Sequence, residues 1–465
     1  FLHLTRDYPG KPVMNKTTTL LAGILLLLLT VASTAQADVK LPNVLGSHMV
    51  MQRDVPLAIW GTAAANEAIT VTMGADQTST TANATGNWRV QLKPQQADGK
   101  SRTLTVKGQN TIVLDDILIG EVWIGSGQSN MEWQLANTQD AKKAIAAANH
   151  PNLRLFHVPK VQAGKPATDV NAQWKTCTPA NVPAFSAVLY YFGQHLQQEI
   201  DLPIGLINSS WGGSPIEPWT ITKGGSGGMY NGMIAPLTQF AVQGSIWYQG
   251  ETNVLQKNGL TYVDKMKDLI SGWRTAFNDP GHAFYFVQIA PWQGSYAAGQ
   301  LPALWEAQVA SLKIPGTGMA VTTDLVDNIR DIHPRNKLDV GERLAFWALT
   351  KTYGKKGIIY SGPLYQSLKV EGNKIRLSFA HTASGLKSRD GKPLSEFQVA
   401  GADGKFVAAT ATIDQHTLVV QAAEVAAPRQ VRFGWHATTN PNLVNSAGLP
   451  ASPFQTSNWQ GGTGQ

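Results

Sequence analysis

The sequence predicts an α/β protein in which a three-layer α/β/α domain lies between two β-rich modules. Between residues 117 and 356, apolar runs typical of strands alternate with helix-like runs, as in a parallel sheet covered by helices on both faces. On either side, residues 38–116 and 357–465 contain short β-prone runs separated by turn residues. The chain has 465 residues, 43% of them hydrophobic, which is enough for several packed modules.

Residues 1–37 are predicted to be a leader and signal peptide that the mature protein lacks. Lys16 supplies a positive charge, residues 20–31 are apolar, and Ala35-Gln-Ala37 resembles a cleavage site. The apolar run is too short for a comfortable membrane span. We therefore expect cleavage after Ala37, a periplasmic or secreted protein, and no membrane-spanning helix.

The N-terminal module, residues 38–116, is predicted to be a small antiparallel β-sandwich because its short strands are separated by Gly, Asn and Asp. Its β-prone runs are residues 57–60, 68–73, 88–92, 103–106 and 111–114. The C-terminal module, residues 357–465, is predicted to be β-rich for the same reason. Its runs are residues 368–370, 374–379, 417–421 and 430–435.

The central domain, residues 117–356, carries the alternation that predicts parallel strands joined by helices. The predicted strands are residues 119–124, 153–157, 203–208, 242–248, 283–289 and 318–323. The predicted helices are residues 140–149, 186–200, 262–277, 302–312 and 340–353.

Several classes of function are disfavoured by composition. The formal net charge is +7, but the Lys and Arg residues are not clustered in the sequence, which argues against nucleic-acid binding. The ten His residues are scattered, without the spacing of a metal site, and residues 224–228 lack the lysine of a phosphate-binding loop. The single cysteine, Cys177, permits no internal disulfide. No metal or other cofactor is expected.

Ser129 is the candidate nucleophile. It lies in Gly125-Ser-Gly-Gln-Ser-Asn-Met131, after an apolar strand-like run and before a segment that can begin a helix. Backbone N–H groups at such a helix start favour developing negative charge, as a nucleophilic serine requires. Taken alone, the segment is equally compatible with a capping serine in a strand-to-helix loop.

His333 is the candidate base, because it lies in Asp331-Ile-His-Pro-Arg-Asn-Lys337 beside a carboxylate that can orient its ring. Two more segments, Asn208-Ser-Ser-Trp-Gly-Gly-Ser-Pro215 and Ile246-Trp-Tyr-Gln-Gly-Glu-Thr-Asn253, follow strand-like runs and combine glycine with amide side chains. The carboxyl ends of parallel strands meet at one edge of a sheet. We therefore expect these segments to form one site with Ser129.

These four segments, in this order, resemble the sialate O-acetylesterase family, a branch of the SGNH hydrolases. The resemblance continues in His48-Met-Val-Met-Gln-Arg53 and in Val431-Arg-Phe-Gly-Trp435, so it covers nearly all of the mature chain. It implies a flavodoxin-like SGNH catalytic domain. It also implies a secreted enzyme that removes O-acetyl groups from glycans through a serine acyl-enzyme, without a cofactor.

The resemblance and the chemistry together assign three catalytic roles. Ser129 attacks the ester carbonyl, His333 takes and returns the proton, and Asp331 orients the imidazole. The superfamily usually places its acid three residues before the histidine, where this chain has an arginine. Asp324, Asp327 or a backbone carbonyl are therefore alternatives to Asp331.

The expected oxyanion donors are the backbone N–H groups of Ser129 and Gly213 and the side chain of Gln249. Gln249 stands where the superfamily usually has asparagine, and Gly212 is the alternative to Gly213. Loop tryptophans can offer apolar faces to a sugar ring, and charged neighbours can contact its polar groups. The substrate-binding candidates are Trp133, Trp211, Glu251, Trp292 and Arg335. Glu251 is alternatively an acid that holds Gln249 or the loop of Ser129.

The expected substrate is an acetylated carbohydrate. An acetylated plant cell-wall glycan such as xylan or xyloglucan is placed ahead of O-acetylated sialic acid, because the sequence shows no arginine pair suited to a sialate carboxylate. Two other functions are compatible with the fold: a non-catalytic carbohydrate-binding or cell-surface module, and a lipase- or thioesterase-like hydrolase with an apolar acyl pocket.

Overall fold

The computed structural model describes residues 38–457, together with Leu2, Arg6, Asp7, Pro9 and Gly10. The apolar run and the cleavage site predicted in the leader lie outside the described residues. Within the described part of the chain, no helix has the length and apolar character needed to cross a membrane.

Most strands of the N-terminal module pair antiparallel, and several have alternating burial that reflects the alternation of apolar and polar residues in the sequence. Each predicted run lies within a strand; β1 and β4 were not predicted. The strands are β1 (Val50–Gln52), β2 (Leu57–Thr62), β3 (Ala68–Met73), β4 (Asp76–Thr81), β5 (Asn87–Leu92), β6 (Arg102–Lys107) and β7 (Thr111–Gly127). The short strand β1, in contrast to the others, pairs parallel with β7.

Strand β7 joins the N-terminal module to the central sheet. Its first half pairs with β6, and its second half pairs with the parallel strands of the catalytic domain. The boundary predicted between residues 116 and 117 therefore lies within one continuous strand. Asp116 has a left-handed φ of 56° there, and Arg154 binds its carboxylate at 2.6 and 3.1 Å.

The central domain has a sheet with strand order β15-β14-β13-β7-β10-β8-β9, parallel except for β9. Its runs were predicted because buried parallel strands are nearly continuous apolar stretches. Strand β9 was not predicted. The strands after β7 are β8 (His150–His157), β9 (Trp174–Cys177), β10 (Ile204–Ser210), β11 (Ile221–Thr222), β12 (Gly225–Ser226), β13 (Gly244–Tyr248), β14 (Ala283–Val287) and β15 (Thr317–Ala320).

Helices connect these strands, and all five predicted helices are present with ends that differ by a few residues. Shorter 3₁₀ and π segments cover Leu135–Asn137, Glu217–Trp219, Tyr230–Ile234, Ala235–Leu237, Gly259–Thr261, Ser311–Lys313 and Ala348–Thr352. The α-helices are α1 (Ser129–Glu132), α2 (Ala141–Ala147), α3 (Ala187–Ile200), α4 (Glu251–Leu255), α5 (Tyr262–Ala276), α6 (Gln300–Ala310) and α7 (Leu338–Trp347).

The helices lie on both faces of the sheet, which confirms the predicted three-layer α/β/α arrangement. On one face α3 packs against α7, and Phe192 contacts Trp123 of β7 with ring centroids 5.0 Å apart. Gly341 allows this approach, because a Cβ there would lie 2.7 Å from the Phe192 nitrogen. On the other face, Trp273 of α5 packs against Trp247 of β13 at 6.2 Å.

The C-terminal module has its own core, in which Tyr365 stacks on Phe454 with ring centroids 4.8 Å apart. It contacts the catalytic domain just beyond β14, where Gln288 Nε2 donates to Ser452 Oγ at 2.9 Å. Its strands are β16 (Leu364–Glu371), β17 (Lys374–Ala380), β18 (Leu386–Ser388), β19 (Phe397–Ala400), β20 (Val407–Ala408), β21 (Thr410–Asp414), β22 (Thr417–Gln421), β23 (Gln430–Phe433), β24 (Leu443–Asn445) and β25 (Phe454–Gln455).

The strand order positions the site. Strand β7 is flanked by β10 on one side and β13 on the other, so the chain leaves β7 in one direction and later returns on its other side. Such a reversal opens a crevice at the carboxyl ends of the strands. The loops after β7, β10 and β13 carry Ser129, the Gly212-Gly213 pair and Gln249, respectively.

Candidate active site

Ser129 and His333 lie together at the carboxyl edge of the sheet. Ser129 is the first residue of α1, directly after β7, and His333 lies in the loop between β15 and α7. The Ser129 Oγ is 2.9 Å from His333 Nε2, which is hydrogen-bond distance. Both residues are only partly buried, so a substrate can reach them. In this geometry an imidazole can take the proton of the hydroxyl.

Asp331 is the carboxylate beside the imidazole. Its Oδ1 lies 3.3 Å from His333 Nδ1 and accepts the backbone N–H of His333 at 2.9 Å. The Asp331 side chain is 44% exposed, so solvent screens part of its charge. The contact to Nδ1 is longer than the contact between Ser129 and Nε2.

The two rival carboxylates are bound to arginines. Asp324 accepts two hydrogen bonds of 2.7 Å from the guanidinium of Arg343. Asp327 accepts the Nε–H of Arg335 at 3.0 Å. Both pairs hold the loop that leads to His333, and their charges are directed to the arginines and not to the imidazole.

The surroundings of His333 favour its neutral form. Burial lowers the pKa of His333, the nearby Lys337 charge lowers it further, and Asp331 acts in the opposite direction. The pKa of His333 is therefore below its ordinary value. At neutral pH the ring can act as a proton acceptor.

Two backbone N–H groups in the loops at this edge of the sheet are available to an oxyanion. Among the described residues, no protein acceptor takes the N–H of Ser129 or that of Gly213. Gly213 has a left-handed φ of 76°. The N–H of Gly212, in contrast, donates to Glu132 Oε2 at 2.5 Å. This difference favours Gly213 over Gly212 as a donor.

Gln249 was predicted to be an oxyanion donor, but its side chain is hydrogen-bonded within the protein. Its side chain is fully buried, and its Nε2 lies 2.7 Å from Asn253 Oδ1, 3.1 Å from Gln128 Oε1 and 3.2 Å from the Ser214 carbonyl. Its Oε1 accepts the hydroxyl of Tyr262 at 2.7 Å. An amide nitrogen has two hydrogens, and both are used inside the protein. The structure therefore assigns Gln249 to joining the loops after β7, β10 and β13.

Comparison with known proteins identifies the family. Residues 119–350 match the family model described as carbohydrate esterase, sialic acid-specific acetylesterase. A carbohydrate acetylesterase of solved structure from Xanthomonas citri is 39% identical, with a TM-score of 0.87, and the match covers 90% of this chain and 100% of the other. The chain belongs to the sialate O-acetylesterase family. It is a carbohydrate acetylesterase.

Mammalian relatives have lower sequence identity, but the similarity again covers most of the chain. The human sialate O-acetylesterase is 29% identical over 416 residues, which cover 77% of this chain and 79% of the human protein. The rat sialate O-acetylesterase is 27% identical over 526 residues, covering 93% and 96% of the two chains. The similarity therefore extends beyond the catalytic domain of the esterase into its flanking modules.

The three loop tryptophans have different surroundings. The indole of Trp133 stacks on the imidazole of His333, with ring centroids 4.7 Å apart and planes 19° from parallel. Trp133 was predicted to offer an apolar face to a sugar ring, but one of its faces is covered by the imidazole of His333. Trp292 donates its Nε1–H to the Arg330 carbonyl at 3.1 Å and so holds the loop just before Asp331. Trp211 follows β10 and is partly buried against the main core.

The two charged substrate-binding candidates are bound within the esterase. Glu251 is 2% exposed, and its Oε1 accepts Asn130 Nδ2 at 2.5 Å. A carboxylate at this depth cannot contact a sugar, so its prediction as a substrate ligand is wrong. Its alternative role, an acid that holds the loop of Ser129, agrees with the bond to Asn130. Arg335 is exposed, but its guanidinium is paired with Asp327.

Asn130 and Lys337 were missed by the sequence analysis. Both lie within the motifs that carry Ser129 and His333, and in the structure the Lys337 ammonium donates to the side-chain oxygen Oδ1 of Asn130. Their position in those motifs was an available signal. Burial of a lysine was not predictable, because lysine is almost always exposed unless it is paired.

Proposed function

We propose that the esterase releases acetate through a serine acyl-enzyme. The Ser129 Oγ attacks the acetyl carbonyl while His333 Nε2 takes its proton, and the N–H groups of Ser129 and Gly213 stabilise the oxyanion. His333 then returns the proton to the departing sugar hydroxyl. Water, activated by the same imidazole, attacks the acetyl-serine and restores the free hydroxyl. The 2.9 Å contact between Ser129 and His333 is the observation that carries this proposal.

Asp331 acts in this mechanism through the imidazole. A carboxylate near Nδ1 favours the tautomer whose Nε2 can accept a proton, and it stabilises the imidazolium that forms. Asp331 also holds the backbone N–H of His333, so it restrains the position of the ring. This second contact supports Asp331 over a backbone carbonyl as the orienting group.

We further propose that the preferred substrate is an uncharged acetylated glycan, such as an acetylated xylan or xyloglucan of plant cell walls. Recognition of a sialic acid carboxylate requires a cation that is free to bind it. Lys160 is paired at 2.6 Å with Glu132, three residues after Ser129, and Arg335, two residues after His333, is paired with Asp327 at 3.0 Å. These pairs favour a neutral sugar.

A comparison of three substrates tests this preference. We expect kcat/KM for an acetylated xylo-oligosaccharide to exceed that for O-acetyl sialic acid by about tenfold or more. When the acidic sugar binds, its carboxylate loses water without gaining a cationic partner. The methyl ester of O-acetyl sialic acid is the matched control, since it lacks only the charge. It should be cleaved at least as fast as the free acid.

The opposite order would overturn the proposed substrate. If the free acid is preferred to its methyl ester, a cation of the esterase binds the carboxylate. Arg330 is the residue to replace in that case, because it is exposed and adjoins Asp331. Loss of the preference in Arg330→Gln would identify it as the sialate ligand.

We also propose that the esterase is exported to the periplasm or the medium. The support is the leader pattern, in which a charged residue, an apolar run and Ala35-Gln-Ala37 follow one another. N-terminal sequencing of the expressed protein should give Asp38 as the first residue, in the periplasmic or extracellular fraction. Recovery from the cytosol with the apolar run intact would contradict export.

A further inference from the structure

A fully buried lysine lies beside the catalytic pair, and the proposed mechanism does not use it. Lys337 ends the histidine loop and precedes α7. Its Nζ donates to Asn130 Oδ1 at 2.5 Å and lies 5.9 Å from the centre of the Trp133 ring. The same indole stacks on His333. The ammonium group is therefore next to both the serine motif and the aromatic ring that supports the base.

Asn130 links this lysine to three segments of the chain. It directly follows Ser129, and its Nδ2 donates to Glu251 Oε1 at 2.5 Å and to the Ile332 carbonyl at 3.1 Å. Ile332 is the neighbour of His333. One buried amide therefore connects the nucleophile loop, the base loop and α4.

The charges in this cluster are costly to bury. Burial lowers the pKa of Lys337 to about 7, while Glu251, Asp327 and Asp331 favour its charged form. Burial raises the pKa of Glu251, and its Oε2 has no hydrogen-bond partner in the described structure. A buried ion pair is a poor source of stability when compared with apolar residues of similar size. Its cost is more readily explained by a role in catalysis.

We propose that Lys337, Asn130 and Glu251 form a buried positioning unit, which aligns Ser129 with His333 and uses the Lys337 charge to keep the imidazole unprotonated. The inference rests on the proposed acyl-enzyme mechanism. Asn130 sets the alignment, because its hydrogen bonds hold both loops. Lys337 supplies the charge, and Glu251 compensates it.

The pH dependence follows from the charges around the two groups. Lys337 faces Glu251 of α4, the ring of Tyr248 at the end of β13, and Asp327 and Asp331 of its own loop. The Lys337 charge lowers the pKa of His333. When that charge is removed, the pKa of His333 rises, and the neutral ring needed as a base forms only at higher pH. The acidic limb of the kcat/KM profile should therefore move to higher pH.

Lys337→Met tests both parts of the proposal. On p-nitrophenyl acetate, we expect kcat to fall by about 10²-fold, as for a misaligned nucleophile, and the acidic limb to move upward. Lys351→Met is the matched control, because Lys351 also lies over an aromatic ring, 4.7 Å from the centre of Tyr360. It should leave both kcat and the limb unchanged.

A double variant keeps the test informative if Lys337→Met does not fold. Glu251→Gln retains an acceptor for Asn130 and removes the opposing charge, so Lys337→Met/Glu251→Gln leaves no uncompensated buried ion. We expect the double variant to fold, to regain part of the alignment and kcat, and to keep the upward-shifted limb. Folding is checked by circular dichroism and thermal unfolding.

Two results would overturn the inference. A folded Lys337→Met protein with wild-type kcat and pH profile would show that the unit has no catalytic effect. A lower kcat with an unmoved acidic limb would leave only a structural role for Lys337. Failure of the mechanism itself looks different, because the wild-type protein would then be inactive or would retain its activity after Ser129→Ala.

Discussion

Ser129→Ala and His333→Ala should each lower the turnover of acetyl esters by about 10⁴-fold or more, with the fold intact. Without the hydroxyl there is no atom to form the acyl-enzyme, and without the imidazole the hydroxyl keeps its proton. Because the two residues act as one unit, the double variant should be about as inactive as either single variant. The measurement is steady-state hydrolysis of p-nitrophenyl acetate and of an acetylated xylo-oligosaccharide.

Ser126→Ala is the matched control for the serine variant. Ser126 lies three residues before the nucleophile, and its buried hydroxyl has no hydrogen-bond partner among the described residues. Its loss should leave activity near the wild-type level. Substantial acetyl-ester turnover by a folded Ser129→Ala protein would refute the mechanism, and it would favour the reading of this segment as a capping loop.

Asp331→Asn should reduce kcat by about 10²-fold, less than the loss seen when a fully buried triad acid is replaced. The exposed Asp331 carboxylate contacts Nδ1 at 3.3 Å, so it contributes less than a buried, tightly bound one. Asp331 raises the pKa of His333, so its loss lowers that pKa further. The acidic limb of kcat/KM should therefore move to lower pH, opposite to the shift expected for Lys337→Met.

Asp324→Asn and Asp327→Asn are the comparisons that decide the acid. Asp324 and Arg343 form a buried pair, with side chains 8% and 10% exposed, so Asp324→Asn should cost about 3–5 kcal/mol of unfolding free energy. Its kcat should stay near wild type at temperatures where it is folded. A slight effect at Asp331 together with a large loss of kcat at Asp324 or Asp327 would reassign the acid.

Regular elements of the catalytic domain were predictable because each satisfies a local rule. The helix α5 carries an amphipathic pattern over its whole length. Strands β10 and β13 each contain a short apolar run and are buried along their whole length, as expected for strands covered on both faces. Strand β9 was missed because four residues of mixed character give too short a pattern. The continuity of β7 across the predicted module boundary at residue 116 was not predicted. The first half of this strand pairs with the N-terminal module and the second half with the catalytic sheet, which the local sequence does not reveal.

The site residues likewise divide into those predictable from the local sequence and those that were not. Ser129 and His333 were predictable because the neighbours that define their roles are adjacent in sequence: a strand end and helix start for one, a carboxylate for the other. Gln249 as an oxyanion donor and Glu251 as a substrate ligand were misassigned because their sequence positions place them near the site but do not reveal the direction of the side chain. Both point into the interior, where Gln249 binds Gln128 and Ser214 of other loops and Glu251 binds Asn130.

From the chain alone, the alternation of strands and helices determined the α/β class, and the four motifs determined which loops carry the chemistry, because both depend on local residue patterns. Only the tertiary structure decided that Glu132 takes the N–H of Gly212 while the N–H of Gly213 has no protein acceptor among the described residues. It also decided that Trp133 stacks on His333 and that Lys337 is buried beside that indole. These properties depend on which atoms compete for each hydrogen bond and on how far each charge lies from water. Such competition is between residues far apart in sequence, such as Asn130 and Lys337, and it exists only after the strands have brought their loops together.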